Sequence, residues 1–101
     1  MQVHIDTEDE LERERIIQRL MFSLNARREE IDQVRLRLTP IADVRGARLY
    51  RCQLHTRLRD GQVIDVDETQ ASADLAVTRT LERCVRTAQR RLLRPRQRRM
   101  M

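Results

Sequence analysis

Five arginines recur at helical spacing near the carboxyl end of this 101-residue sequence. The intervals between them are four, three, four and four residues, which places their side chains within a sector of roughly 80° on a helical wheel. A guanidinium group binds phosphate through a planar fork of N–H donors, so a row spaced at one helical turn suits successive phosphates of a nucleic acid. We call this set the arginine row, and we predict that it binds RNA: Arg79, Arg83, Arg86, Arg90 and Arg94.

Apolar residues occupy the opposite side of the same helical wheel. We therefore expect a helix over residues 72–94, ended by Pro95, that buries one face and exposes the arginine row. The alternative is a solvated face without a ligand. Such faces usually carry both signs of charge, whereas here only Glu82 offers a negative charge near the row. The apolar face consists of Val77, Leu81, Cys84, Val85, Ala88 and Leu92.

The overall charge also favours a polyanionic partner. All 21 basic residues are arginine, and the formal net charge is +5. A genome rich in arginine codons would explain the missing lysine, but it would not explain why the arginines align on one helix face. The charge and the alignment together favour nucleic acid as the partner.

The periodicity of the remaining chain predicts the elements that position this helix. Alternating residues predict strands at 2–6, 33–39 and 48–59, and a further strand that carries Ile64 and Val66. A capping box from Thr7 to Glu10 predicts a first helix that continues to about Arg28. The element order is therefore strand, helix, three strands and helix.

This order predicts an α+β fold of two layers, β-α-β-β-β-α. A right-handed crossover makes the first two strands parallel, and the others form an antiparallel meander. We expect a four-stranded mixed sheet with two helices on one face, forming a single domain over residues 1–95, with a short basic tail at 96–101.

Between the last two strands, Asp60 and Gly61 predict a three-residue loop with a bulge at Gly61 that aligns Leu58 with Ile64.

Two other groups of basic residues are weaker candidates. Arg27 and Arg28 lie near the expected end of the first helix, where they would bind RNA or only complement the helix dipole. The open face of the sheet lacks the aromatic residues that stack on RNA bases, so we favour a solvated surface there. Its basic members are Arg35, Arg37, Arg51, His55 and Arg57.

The sequence contains no pattern typical of catalysis. Cys52 and Cys84 lie on expected core faces and are interpreted as free thiols. The acidic run at residues 65–68 would hold Mg²⁺ in principle, but a charged edge strand is the more ordinary explanation. We therefore predict no catalytic residue, metal, cofactor or small-molecule substrate. Without a signal-peptide pattern or a membrane-length apolar run, we expect a cytoplasmic protein.

Three short motifs, taken in order, connect the sequence to a known family. They are the opening strand at Met1–Ile5, the entry to the second strand at Ile31–Val34, and the acidic and basic rhythm of Leu81–Arg90. Over almost its whole length the chain resembles the ribosome hibernation promoting factor and ribosome-associated inhibitor family. It departs from the family at the start of the last helix and in the second half of the first helix, which is usually more basic.

The resemblance implies a stress-response factor that is not an enzyme. Such a protein binds the small ribosomal subunit and inhibits translation by occupying the channel of messenger and transfer RNA. Arg83, Arg86 and Arg90 fall where the last helix of the family is basic, so they are expected to contact ribosomal RNA. We expect a monomer that does not pair two ribosomes by itself, since the long extension of some members is absent.

Two other functions remain open at this stage. The chain could be a general module for structured RNA, because a basic helix on a sheet suits recognition of RNA shape. It could also be an interaction module whose basic helix docks an acidic protein.

Overall fold

A mixed four-stranded sheet, covered on one face by two helices, forms the protein. The computed structural model describes the fold over residues 1–99 and the side-chain environment over residues 1–91. The strand order is β1-β2-β3-β4, with β1 parallel to β2 and the other neighbours antiparallel. The predicted α+β fold of order β-α-β-β-β-α is confirmed. The elements are β1 (Gln2–Asp6), α1 (Glu10–Leu24), a 3₁₀ helix (Asn25–Glu30), β2 (Ile31–Ala42), β3 (Arg48–Leu58), β4 (Val63–Gln70) and α2 (Ala73–Arg99).

The core lies between the helices and one face of the sheet. Helix α1 packs against β1 and α2, whereas α2 packs against β3 and β4. Alternate residues of each strand point into this layer, which is why the strand patterns were readable in the sequence. The core is aliphatic except for two cysteines and two threonines. Among its fully buried members are Leu20, Leu24, Ile31, Leu36, Leu54 and Leu58.

Both ends of the first helix differ from the prediction. The N-cap is Asp9 rather than Thr7, and its Oδ1 accepts a hydrogen bond of 3.0 Å from the Leu11 amide. Helix α1 ends at Leu24, not near Arg28. The 3₁₀ helix that follows buries no side chain, so nothing there would pack a further α-helical turn against the sheet.

Two prolines do not end the elements in which they lie. Strand β2 continues through Pro40 to Ala42, because β1 pairs with β2 only as far as Arg37 and leaves the next part of β2 at the sheet edge. An edge strand tolerates a residue without an N–H donor. Helix α2 continues past Pro95 to Arg99 rather than ending before it. A proline within a helix removes one hydrogen bond and can kink the helix without ending it.

The hairpin between β3 and β4 confirms the predicted loop but not the predicted register. Residues 59–61 form a three-residue loop in which Gly61 has φ +92°. The Leu58 amide donates to the Gln62 carbonyl at 2.8 Å, so Leu58 faces Gln62 rather than Ile64. Ile64 faces Thr56 instead. Burial of alternate residues fixes only which face a residue occupies, and the turn geometry then selects the register.

Candidate nucleic-acid interface

Helix α2 is held in place at its start and along its buried face. Ser72 caps the helix, and its Oγ accepts a hydrogen bond of 3.0 Å from the Leu75 amide. The buried face then fixes the rotation of the helix against β3 and β4. It consists of Ala76, Val77, Thr80, Leu81, Cys84 and Ala88. Arg79, Arg83, Arg86 and Arg90 lie outside this buried face and are exposed.

Four members of the arginine row lie among the residues whose side chains the structure describes, and all four are exposed. Over residues 1–91, no carboxylate oxygen lies within 4.0 Å of the guanidinium nitrogens of Arg79, Arg86 or Arg90. The side chain of Arg94 lies outside the described residues. The predicted row is thus brought together on one helix face from Arg79 to Arg90.

Arg83 differs from the other members of the row, because it contacts the edge strand. Its Nη1 lies 3.5 Å from the Glu68 Oε1 and donates a hydrogen bond of 3.3 Å to the Asp67 carbonyl. Sequence reasoning identified only Glu82 as a nearby acid. Glu68 was missed because it is close in space but lies on β4.

Arg91 is a further residue that sequence reasoning missed. Its Nη1 donates a hydrogen bond to the Val63 carbonyl at the start of β4. On the helical wheel, Arg91 lies about 100° beyond Arg90, on the same side as the buried residues Thr80 and Cys84. This position explains why Arg91 reaches the sheet edge.

Arg27 and Arg28 lie on the 3₁₀ helix rather than on α1. Arg27 is half-buried with its Nη1 3.6 Å from the Glu30 Oε2, whereas Arg28 is exposed. The Glu30 carbonyl accepts a hydrogen bond of 3.0 Å from the Arg59 amide, so the 3₁₀ helix lies beside the β3–β4 hairpin. These two arginines therefore lie on a segment that contacts the hairpin through Glu30, and they do not belong to the exposed row.

Most basic side chains on the open face of the sheet contact a carboxylate. Within residues 1–91, four of its five predicted basic side chains have a carboxylate partner, and the exception is Arg35. The hydrogen bond from Arg51 lowers the pKa of Asp67. The pairs were missed because they depend on strand register. They are Arg37–Asp6 at 3.0 Å, Arg51–Asp67 at 2.5 Å, His55–Asp65 at 2.7 Å and Arg57–Asp32 at 2.8 Å.

Both cysteines lie in the core as free thiols, as the sequence indicated. Burial raises the pKa of the Cys52 thiol to about 11 and also raises the pKa of Cys84. The Cys84 Sγ lies 3.5 Å from the Thr56 hydroxyl. A nucleophilic cysteine needs a lowered pKa and access to solvent, so the environment of both thiols is that of core residues.

An open groove of about 720 Å³ lies between α1 and α2, on the side of the arginine row that faces α1. Arg86 lines it together with Phe22, whose side chain is 89% exposed. Sequence reasoning did not select Phe22. The signal was present, since Phe22 falls outside the helical spacing of Ile16, Leu20 and Leu24, which α1 buries, and is the only phenylalanine in the chain.

Neither a metal centre nor a membrane span is found in the part of the chain that the structure describes. No three His, Cys, Asp or Glu side chains within it are placed to hold a metal ion. No helix in the same part is long and apolar enough to cross a membrane.

No model of a known protein family matches the chain, and no curated protein sequence matches it either.

Proposed function

We propose that this protein is a ribosome-associated factor that binds the small ribosomal subunit through α2. The arginine row contacts phosphates of ribosomal RNA, and the bound protein inhibits translation by occupying the channel of messenger and transfer RNA. It acts by occupancy rather than by catalysis, as a hibernation or stress factor in the cytoplasm. The ribosome is proposed as the partner because the three sequence motifs resemble those of the hibernation factor family.

The observation that carries this proposal is the group of exposed arginines without a carboxylate partner on α2. Arg79, Arg86 and Arg90 have no acid within ion-pair distance among residues 1–91. The helix rises about 16 Å over the eleven residue steps from Arg79 to Arg90. This length corresponds to about five nucleotides of a stacked strand.

Because α2 packs on the sheet, its arginine side chains start from an ordered backbone. The helix is capped at Ser72 and buried along its inner face, so its arginines are presented on a rigid backbone. Less conformational entropy is lost on binding when the backbone is already ordered. The ion pairs on the open sheet face make that face the poorer ligand for phosphate.

Co-sedimentation with purified ribosomal subunits at near-physiological salt tests the proposal. The test variant is Arg86→Glu with Arg90→Glu, which removes two row members that make no ion pair within residues 1–91. The control is Arg45→Glu with Arg48→Glu, two exposed residues near the β2–β3 turn. Each pair replaces two positive by two negative charges, a change of −4, and lowers the net charge from +5 to +1.

The proposal predicts that the wild type and the control pellet with the small subunit, whereas the test variant stays in solution. Messenger or transfer RNA should compete with the wild type, because both occupy the same channel. Equal loss of subunit binding by the test variant and the control would show that the effect depends on net charge alone. Binding to a naked RNA duplex as tight as binding to the subunit would favour the general structured-RNA module. An absence of binding to either RNA would leave an acidic protein as the partner.

A further inference from the structure

We propose that the groove between α1 and α2 binds an unpaired nucleobase, which stacks on Phe22 while its phosphate contacts the arginine row. This inference rests on the proposed function, because it names a feature of the RNA that the same surface recognises. It concerns a part of the surface that the charge pattern alone does not select.

Phe22 is not needed by the core of the protein. The neighbouring residues Leu20 and Leu24 on α1 are buried at 0% and 1% exposure, whereas Phe22 is 89% exposed. The chain has one phenylalanine, one tyrosine and no tryptophan, so a solvent-facing aromatic ring is a rare feature here. An exposed ring beside a basic surface is the arrangement that proteins use to stack bases of single-stranded RNA.

The lining of the groove matches the chemistry of a nucleotide. Leu81 and Val85 supply apolar surface, Gln18 and Gln89 supply amide donors and acceptors, and Arg86 supplies a cation for phosphate. The volume of about 720 Å³ lies within the range of ~300–1,000 Å³ that is typical of small-ligand sites. A base therefore has room to enter with one face on the Phe22 ring.

The charge around the groove favours RNA over a protein partner. Arg19 also lines the groove, but it is engaged by Asp74 at 2.8 Å and by the Thr78 hydroxyl. Arg86 remains available at the rim next to Glu82. An amphipathic partner helix would need several apolar anchors at helical spacing. Among the groove residues, only Phe22 is a large exposed apolar side chain.

Binding to two RNA hairpins tests this inference. One hairpin is fully paired in its stem, and the other carries one unpaired nucleotide in the same stem. The variants are Phe22→Ala, Phe22→Trp and the Arg86→Glu, Arg90→Glu pair, with Val44→Trp as the exposed control in the β2–β3 turn. Circular dichroism confirms that each variant is folded before binding is measured.

We expect Phe22→Ala to lose about 5- to 100-fold in affinity for the hairpin with the unpaired nucleotide and to bind the paired hairpin as the wild type does. Phe22→Trp should keep its affinity, because tryptophan also stacks on bases. The wild type contains no tryptophan, so the tryptophan fluorescence of Phe22→Trp reports on position 22 alone. Binding of the hairpin with the unpaired nucleotide should quench this fluorescence. The Val44→Trp fluorescence should not respond.

Three results would overturn the inference, and they separate it from the proposed function. If Phe22→Ala binds both hairpins like the wild type while the arginine pair variant binds neither, base stacking is wrong and RNA binding by the row stands. If the wild type binds neither hairpin and no ribosomal subunit, both proposals fail. If Phe22→Ala instead abolishes a dimer seen by sedimentation velocity, the groove binds a second copy of the chain.

Discussion

The Arg83 Nη1 lies 3.5 Å from the Glu68 Oε1 and thereby links helix α2 to the edge strand β4. The same nitrogen also donates to the Asp67 carbonyl at 3.3 Å. Arg83 thus contributes to the docking of α2, whereas Arg86 and Arg90 make no ion pair within residues 1–91. The arginine row therefore contains one residue that is partly committed to the fold and others that are available to a ligand.

Replacement of Arg83 by alanine should lower the stability of the protein, whereas Arg86→Ala should not. The Arg83 side chain is 50% exposed, so solvent screens its ion pair and we expect a loss of only about 0.2–1 kcal/mol. Urea denaturation of the two variants and the wild type measures the difference. Equal stabilities of both variants would show that the contact with Glu68 contributes nothing to the docking of α2.

The arginines that lack a carboxylate should each contribute to the salt dependence of RNA binding. Each arginine that neutralises a phosphate releases condensed counterions, which contributes about 0.7–0.9 to the slope of log K against log salt. Arg86→Ala and Arg90→Ala should each lower the slope by this amount, and the double variant by twice as much. Filter binding between 50 and 200 mM salt measures it. An unchanged slope would place the replaced arginine outside the contact.

Much of the fold could be predicted from the sequence, because burial imposes a period of two on strands and 3.6 on helices. The alternation around Leu54 and the helical spacing around Leu81 were enough to order the elements. The ends of elements were less predictable. Asp9 rather than Thr7 caps α1, although both lie in the same short polar segment. Pro40 lies within a strand, because β1 leaves that part of β2 at the sheet edge.

The arginine row was predictable for the same reason, since its members share one helix. Contacts between distant segments were not. The pairing of Arg51 with Asp67 follows from the β3–β4 register, and the predicted register was wrong. The position of Phe22 in the same groove as Arg86 depends on how α1 packs against α2, which no periodicity within either helix specifies.

Two positions on α1, separated by one residue, should respond very differently to truncation. Leu20 is fully buried, so Leu20→Ala leaves a cavity and should cost about 2–5 kcal/mol of stability. Phe22 is exposed, so Phe22→Ala should change the stability by no more than about 0.5 kcal/mol. Thermal and urea unfolding of both variants measures the contrast. A large loss for Phe22→Ala would show that this ring packs in the core and is not available to a ligand.

The two cysteines should be unreactive in the folded protein. The pKa of Cys52, raised to about 11 by burial, lies two units above the ordinary thiol value of 9.0, which lowers the thiolate fraction about 100-fold near neutral pH. Alkylation of Cys52 by iodoacetamide at pH 8 should therefore be about 100-fold slower in buffer than in denaturant, and alkylation of Cys84, whose pKa is also raised by burial, should be slowed as well. Mass spectrometry of the modified peptides resolves Cys52 from Cys84. Rapid modification of either thiol in buffer would contradict its burial.

The Arg51–Asp67 ion pair should make the stability of the protein depend on pH in the acidic range. The hydrogen bond from Arg51 lowers the pKa of Asp67 in the folded state, whereas an unfolded aspartate titrates near ~3.9. The stabilisation is therefore complete above about pH 5, and it is lost as the pH falls below ~4 through the lowered folded-state pKa.

Asp67→Asn and Arg51→Gln should each reduce this loss of stability at acidic pH, and the double variant should reduce it no further than Asp67→Asn alone, because both remove the same interaction. Asp60, whose pKa is lowered by hydrogen bonds from Gln62, acts in the same direction and stays intact in every variant. Urea unfolding from pH 2 to 7 measures the effect. If the free energies of unfolding of the wild type and Asp67→Asn fall equally at acidic pH, the pair on the open sheet face only neutralises charge and does not stabilise the fold.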